Sequence, residues 1–290
     1  MKLLLTGADG QFGRCLQDRA GDHELIALNR QRLDITDSQA VSECLYKHLP
    51  EVVINGAAYT NVDRAEAEAE LAYAVNRDGP ANLAKVCAEI DIPLIHISTD
   101  YVFDGTATIP YKPDDPVNPL GVYGKSKWAG EEAIRAVHAK HLIIRTSWLF
   151  SEYGNNFVKT MLRLAKERDE IRVVDDQVGC PTYAGHLAEA VLVLVEQVKS
   201  TAFKAWGTYH FTGDRAVSWY EFAVIIFETA VKQGLIPRRP VVMPIKTSEY
   251  QALTTRPAYS VLSGDSSLDF LNAKNSSVFD NGLFIVLGKL

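Results

Sequence analysis

The chain has 290 residues, 47% hydrophobic and 23% charged, a globular balance that excludes wholesale disorder. With 30 basic against 36 acidic residues the net charge is −6, and no clustered basic surface offers itself to a nucleic-acid polymer. The apolar stretches are far shorter than a membrane span, and four scattered cysteines without a CxxC pair suit a reduced, cytoplasmic protein.

In chain order, short apolar runs at Lys2–Thr6, Glu24–Leu28, Glu51–Asn55, Pro93–Ile97 and His141–Arg145 alternate with segments of helical period. Those segments are Gln11–Ala20, Asp37–His48, Glu66–Ile90 with a break near Asn76–Pro80, and Val122–Ala139. Runs apolar on both faces suit strands covered by helices on both sides, so a doubly wound α/β parallel sheet is expected. Beyond Arg145 the spacing predicts helices over Phe157–Arg168, Ala184–Lys199 and Ser218–Gly234, the last opened by a Ser218/Glu221 capping box. Strands are expected at Glu170–Val174 and Thr208–Phe211, and Pro237, Pro240, Pro244 and Pro257 exclude one long helix after them. Residues 1–150 read as a nucleotide-binding domain and 151–290 as mainly a smaller substrate-binding cap, with some segments returning to the core.

The first strand runs into Gly7, Gly10 and Gly13, a GxxGxxG turn that leads into a helix. Gly7 permits the tight turn, Gly10 a close backbone approach to a pyrophosphate, and Gly13 close helix-on-strand packing, the Rossmann-type arrangement for a dinucleotide. The second strand ends in Asn29-Arg30 without a carboxylate at its tip, and a forked guanidinium there suits a ribose 2′-phosphate, so NADPH is favoured over NADH.

Tyr123 and Lys127 stand four residues apart, on one face if the segment is helical. A neighbouring cation lowers a phenol's pKa and tunes it to donate a proton to a carbonyl oxygen that receives hydride. Thr99 follows strand Pro93–Ile97 at its carboxyl end, where ligands of such sheets bind, and is placed to hydrogen-bond the same oxygen. His96, inside that apolar run, reads as a satisfied core residue, and no histidine pair has metal-ligand spacing.

Together with Asp34–Asp37, Asn55–Thr60 (NGAAYT) and Ser98–Gly105 (STDYVFDG), these motifs resemble the extended short-chain dehydrogenase/reductases. More narrowly, Val62-Asp63 with Glu66, Arg145–Trp148 (RTSW), Asn155–Phe157, Asp176-Gln177 with Pro181-Thr182, and Arg256–Ser260 (RPAYS) resemble the dTDP-4-dehydrorhamnose reductase family. The resemblance covers residue 1 to about 262. It implies reduction of dTDP-4-dehydro-6-deoxy-L-mannose to dTDP-L-rhamnose, with NADPH, or NADH in some members, delivering hydride to the sugar C4. It further implies Tyr123 as proton donor, Lys127 lowering its pKa and holding the nicotinamide ribose, and Thr99 orienting the carbonyl. Gly10, Gln11 and Phe12 would meet pyrophosphate, Asp34 and Ile35 the adenine, and Ala57, Ala58 and Tyr59 the middle of the cofactor, with Ile97 beside it. Thr99, Asp100, Trp148, Asn156 and Arg256 would meet the dTDP-sugar.

Two departures stand out. Some members bind Mg²⁺ at a dimer interface through a Glu where this chain has Cys15; a neutral thiol is a poor ligand for that hard cation, so no metal is expected. A homodimer without it stays open. Members usually end in a helix bearing a Trp, whereas 263–290 contains none. The rival readings are another sugar-nucleotide ketoreductase or epimerase of the superfamily, and a non-catalytic dinucleotide-binding regulatory subunit; the latter has no need of Thr99, Tyr123 and Lys127 together.

Overall fold

The computed structural model describes residues 1–250, 253–264 and 278–290. Its centre is a six-stranded parallel sheet made of β1 (Lys2–Thr6), β2 (Glu24–Leu28), β3 (Val52–Asn55), β4 (Leu94–Thr99), β5 (His141–Thr146) and, late in the chain, β10 (Gly207–His210). The order is β10-β5-β4-β3-β1-β2, so the winding reverses between β1 and β3, and the loops after those two strands open a crevice at the sheet's carboxyl edge.

Alternation along the strands builds the two faces. Leu3, Leu5, Val52, Ile54, Ile95, Leu142 and Ile144 pack on α1 (Gln11–Gln17) and α8 (Ala184–Val198). Their neighbours Leu4, Val53, Leu94 and Ile143 pack on α2 (Ser38–His48), α5 (Gly79–Glu89) and α6 (Val122–Val137). Burying a Leu or Ile on either face stabilises by about 1.5–3 kcal/mol, which is why these runs are apolar until near their carboxyl ends, with His96 in β4 a buried polar exception. The sequence reading of both layers holds, with ends displaced by up to three residues: α1 stops at Gln17 rather than Ala20, and Asp37 lies outside α2 and caps it by accepting from the N–H groups of Gln39 and Ala40.

Between β3 and α5 lie two short helices, α3 (Val62–Ala65) and α4 (Ala69–Tyr73). The break expected near Asn76–Pro80 is a π-helical turn at Ala74–Asp78 that passes directly into α5. Pro80, the second residue of α5, lacks a backbone N–H and so cannot extend the ladder in which Gly79 N–H bonds Ala74 O across the turn. The turn carries the buried Asn76 side chain, which accepts from Tyr59 N (2.8 Å) and donates to Tyr59 O (3.0 Å) and Ser126 Oγ (3.0 Å). One side chain thereby pins the loop after β3 to α6.

A second core closes the carboxyl edge from above. It gathers β6 (Leu149–Phe150), α7 (Phe157–Glu167), β7 (Glu170–Val174), β8 (Val178–Gly179), β9 (Thr182–Tyr183), β11 (Val217–Ser218) and α9 (Trp219–Lys232). It also holds β12 (Val241–Ile245) and α10 (Phe279–Gly288). The capping box at Ser218 and Glu221 is formed. The proline-punctuated stretch contributes β12, parallel to β7 in a two-stranded sheet, where Pro244 is tolerated because each strand is an edge. In the tail, the apolar run Phe284–Leu287 lies in α10, with Phe279, Leu283, Val286 and Leu287 buried against the second core. The Ser-Ser and Asn-Ser-Ser runs of the tail lie outside the described residues. Among the described residues, no helix is long and apolar enough to cross a membrane.

Candidate active site

A cavity of about 720 Å³ runs along the carboxyl ends of β1, β3, β4 and β5, within the range that holds a small ligand or cofactor. At one end it is walled by Gly7, Gly10, Gln11, Phe12 and Gly13. Gly7 has φ +72°, and a Cβ there would lie 2.5 Å from the backbone of Gly56 and Ala57. A Cβ on Gly13 would lie 2.3 Å from Gly7 O. The turns after β1 and β3 therefore touch backbone to backbone, and only glycine lets them.

Asn29, Arg30, Asp34 and Ile35 line the mouth at this end. Asn29 Nδ2 donates to Asp9 Oδ2 (2.8 Å), and Arg30 Nε lies 3.6 Å from Asp34 Oδ2 with most of its side chain in solvent. Hydrogen bonds from Thr36 and the nearby Arg30 hold the Asp34 carboxyl below its ordinary pKa. Ala57, Ala58 and Tyr59 form the wall beyond, with Ile97 below them.

At the inner end stand Thr99, Asp100, Tyr123, Lys127 and Trp148. Thr99 Oγ1 donates to Asp100 Oδ1 (3.0 Å) and accepts from Tyr101 N (3.2 Å), beside the Tyr123 phenol. Tyr123 and Lys127 share the first turns of α6, as their spacing predicts. The expected lowering of the phenol pKa is reversed. Burial pushes Tyr123 up to about 12, the neighbouring Thr99 hydroxyl opposes the rise and Asp100 adds to it; removal from water costs a phenolate more than its neighbours return. Lys127 is 2% exposed, donates to Ile97 O (2.7 Å), and is lowered to about 8 by burial, against the pull of Glu131. Asp100 is raised to about 7, again by burial and against the opposing pull of Ser260 and Thr99, and among the described residues its Oδ2 has no hydrogen-bond partner. At the inner end three titratable groups are thus displaced toward their neutral forms, Asp100 and Lys127 buried and Tyr123 part-buried.

Trp148 adopts φ 47°, a left-handed conformation that costs a bulky side chain on the order of 1–3 kcal/mol. Its indole is held by a parallel stack on Trp219, centroids 3.4 Å apart, and by Gly179, where a Cβ would lie 2.5 Å from the ring.

Asn156 and Arg256, expected at the sugar nucleotide, are not among the residues lining the cavity. Asn156 caps α7 and donates to Gln11 Oε1 (2.9 Å), which also accepts from Ser151 Oγ (3.0 Å). Arg256 Nη2 instead donates to Asp63 Oδ2 on α3 (2.9 Å). The sequence reading missed the tie between the glycine turn and the 151–156 loop, because its partners are some 140 residues apart. It also missed the buried pair of Glu131 and Arg145, for which a signal existed: an arginine closing the apolar run Leu142–Ile144 needs an acid beside it. Cys15 is buried, and burial followed by Glu152 pushes its thiol up to about 12, so it is neutral.

The chain matches the family model described as the RmlD substrate binding domain over residues 1–277. It is 47% identical over 264 residues to dTDP-4-dehydrorhamnose reductase of Aggregatibacter actinomycetemcomitans, covering 90% of each chain, and 39% identical to that of Escherichia coli K12, covering 90% and 89%. Its fold superposes with TM-score 0.92 on a crystal structure of dTDP-4-dehydrorhamnose reductase from Bacillus anthracis in complex with NADP, at 37% identity over 100% of this chain and 99% of that one. UDP-glucose 4-epimerase of Thermus thermophilus shares the fold alone (TM-score 0.80, 19% identity). The glycine turn, the Thr99–Tyr123–Lys127 constellation and these likenesses converge: the chain belongs to the dTDP-4-dehydrorhamnose reductase family.

Proposed function

We propose that the chain catalyses NADPH-dependent reduction of dTDP-4-dehydro-6-deoxy-L-mannose to dTDP-L-rhamnose. The observation that carries this reading is one continuous cavity joining the glycine turn to Thr99, Tyr123 and Lys127, in a chain of this family. Residues 1–150 hold the cofactor and 151–290 mainly close over the sugar nucleotide.

The bare backbone at Gly10 fits a dinucleotide's pyrophosphate, while Gly7 and Gly13, whose Cβ positions are already filled by neighbouring backbone, keep the turn tight enough to present it. Arg30, with Asn29, faces the 2′-phosphate end, Asp34 and Ile35 the adenine, Ala57, Ala58 and Tyr59 the middle, and Lys127 the nicotinamide ribose. When bound, NADPH supplies the hydride. Trp148 gives the sugar a flat apolar face, held against rotation by Trp219. Thr99 orients the C4 carbonyl oxygen, and Asp100 Oδ2, buried and unpartnered among the described residues, accepts from a sugar hydroxyl.

A phenol raised to about 12 stays protonated at any physiological pH. That is the form a proton donor requires, and a nascent alkoxide at C4 is basic enough to take its proton. Asn156 acts at one remove, fixing Gln11, and Arg256 holds α3 through Asp63. The assay is NADPH oxidation with the dTDP-4-keto-6-deoxy-L-sugar; folded protein that consumes no NADPH above the enzyme-free control overturns the reading.

A further inference from the structure

Beneath the floor of the cavity, a line of buried polar side chains crosses the sheet from β1 to α6. Thr6 Oγ1 donates to Asn55 Oδ1 (2.7 Å), Asn55 Nδ2 lies 2.9 Å from His96 Nδ1, and His96 Nε2 lies 3.4 Å from Lys127 Nζ. Thr6, Asn55, His96 and Lys127 are each at most 2% exposed, so each polar atom must be satisfied within the chain.

Donor and acceptor roles along this line follow from one backbone group. Ala57 N–H donates to the same Asn55 Oδ1 (3.1 Å), and a backbone N–H can only donate. The amide of Asn55 is therefore fixed with its oxygen toward Ala57 and Thr6 and its NH₂ toward His96. His96 Nδ1 must then accept, and the ring's single proton resides on Nε2, aimed at Lys127. Burial, with the charges of Lys127 and Arg135, keeps the ring neutral by driving its pKa well down. An Nε2–H can bond Lys127 Nζ only through the lone pair of the neutral amine. Against an ammonium it sets a donor against a donor, which accounts for the long 3.4 Å separation beside a 2.7 Å bond from the same Nζ to Ile97 O.

We propose that His96 is a positioning residue for the reduction: locked by Asn55 in its Nε2–H tautomer, it disfavours the ammonium of Lys127 and primes that group to give up a proton. The proposal rests on the reductase reading for its role in turnover, though not for the tautomer. In that role Tyr123 O–H passes its proton to the C4 alkoxide, leaving a phenolate. Lys127 then gives one N–H proton to the phenolate, which restores the phenol and leaves a neutral amine. His96 Nε2–H donates to the amine's lone pair until the amine takes a proton from solvent as the site opens. The charged groups around the pair are Glu131 and Arg135 on α6 and Arg145 on β5, with Tyr123 and Asp100 at the cavity end. Burial disfavours the ammonium and Glu131, itself held by Arg145 and Arg135, favours it; the His96 Nε2–H aimed at Nζ adds to the side of burial.

The test is NMR of the whole protein without added ligand. Long-range ¹H–¹⁵N spectra of the His96 ring, assigned with a His96→Gln variant, are expected to show a protonated Nε2 and a bare Nδ1 throughout the neutral range. A protonated Nδ1 overturns the proposal with no question of folding. Lys127, labelled at Cε and assigned by Lys127→Met, is then titrated. His96→Leu raises its midpoint by about one pH unit, the scale of one hydrogen bond. His96→Gln, whose amide can accept from Asn55 and donate to Lys127, keeps the wild-type midpoint. An unchanged midpoint in folded His96→Leu overturns the proposal. In turnover, the alkaline limb of kcat moves up with that midpoint in His96→Leu while KM for the sugar nucleotide holds. A wild type that turns over no substrate defeats the reductase reading and leaves the NMR result to decide the tautomer.

Discussion

Glu131 and Arg145 meet at two points, Nε to Oε1 at 3.0 Å and Nη2 to Oε2 at 2.8 Å, with both side chains almost wholly removed from water. Ser98 Oγ and Arg135 supply the remaining bonds to the carboxylate, so α6, β4 and β5 are tied together one turn beyond Lys127. Removing one partner strands a buried charge, and Glu131→Ala is expected to cost about 3–5 kcal/mol in urea unfolding. The pair also sets a pH dependence. Arg145, Arg135 and Ser98 hold Glu131 below its ordinary pKa against its desolvation. Its stabilisation is therefore complete above the unfolded value of about 4.3 and is lost as pH falls through the folded one. In Glu131→Gln that part of the acid limb disappears; an unaltered acid limb contradicts the assignment.

Tyr123→Phe removes one oxygen and little volume. Dinucleotide affinity should stay within about twofold while kcat falls by about 10² or more, the usual worth of a positioned proton donor. Single-turnover NADPH oxidation measures this directly, and a variant retaining most of its rate refutes the proton-donor role.

Arg30 is tied to Asp34 at 3.6 Å and is 69% exposed on its side chain, so its contribution to a phosphate is screened. We expect Arg30→Ala to weaken NADPH by roughly tenfold at low salt, less at high salt, and NADH by under about twofold. Equal losses by fluorescence titration would remove the 2′-phosphate role.

Asp100 gives the opposite sign to Glu131. Its folded pKa is raised to about 7 by burial, against an unfolded value of about 3.9. The native state binds the extra proton between those values, so stability falls as pH rises from about 4 to about 7 and then levels. Asp100→Asn should flatten this slope in thermal unfolding. A slope as steep as wild type would mean that another group carries it.

Leu283 is 1% exposed between α10 and the aromatic cluster of Tyr183, Phe222 and Phe279. Leu283→Ala is expected to destabilise by about 2–5 kcal/mol in chemical denaturation. A loss below about 1 kcal/mol would mean that α10 is not part of the second core.

How much of this was legible beforehand follows the range of the interactions. Strand runs such as Leu3–Leu5 and Val52–Ile54 announce themselves, because alternate residues face two apolar layers and both must be hydrophobic. The spacing of Gly7, Gly10 and Gly13, and of Tyr123 and Lys127, is local geometry and equally readable. The strands β6, β8, β9, β11 and β12 were not, since two-residue bridges and a proline-bearing edge have no periodicity of their own. Nor was α10, an apolar helix that packs only because α9 and β9 wait for it.

By itself, then, the amino-acid sequence determined the doubly wound sheet, the glycine turn and the family of the reductase constellation, all of which depend on neighbours within a few residues. Tertiary structure decided the electrostatics. Tyr123 rises rather than falls because burial outweighs the charges around it, and Asn156 and Arg256 bond Gln11 and Asp63, partners 145 and 193 residues away along the chain. His96 looked like a core residue in its strand. A backbone N–H at Ala57, 39 residues before it, orients Asn55 and through it the imidazole that faces Lys127. Desolvation and hydrogen-bond direction are properties of a packed interior, and no spacing along a chain carries them.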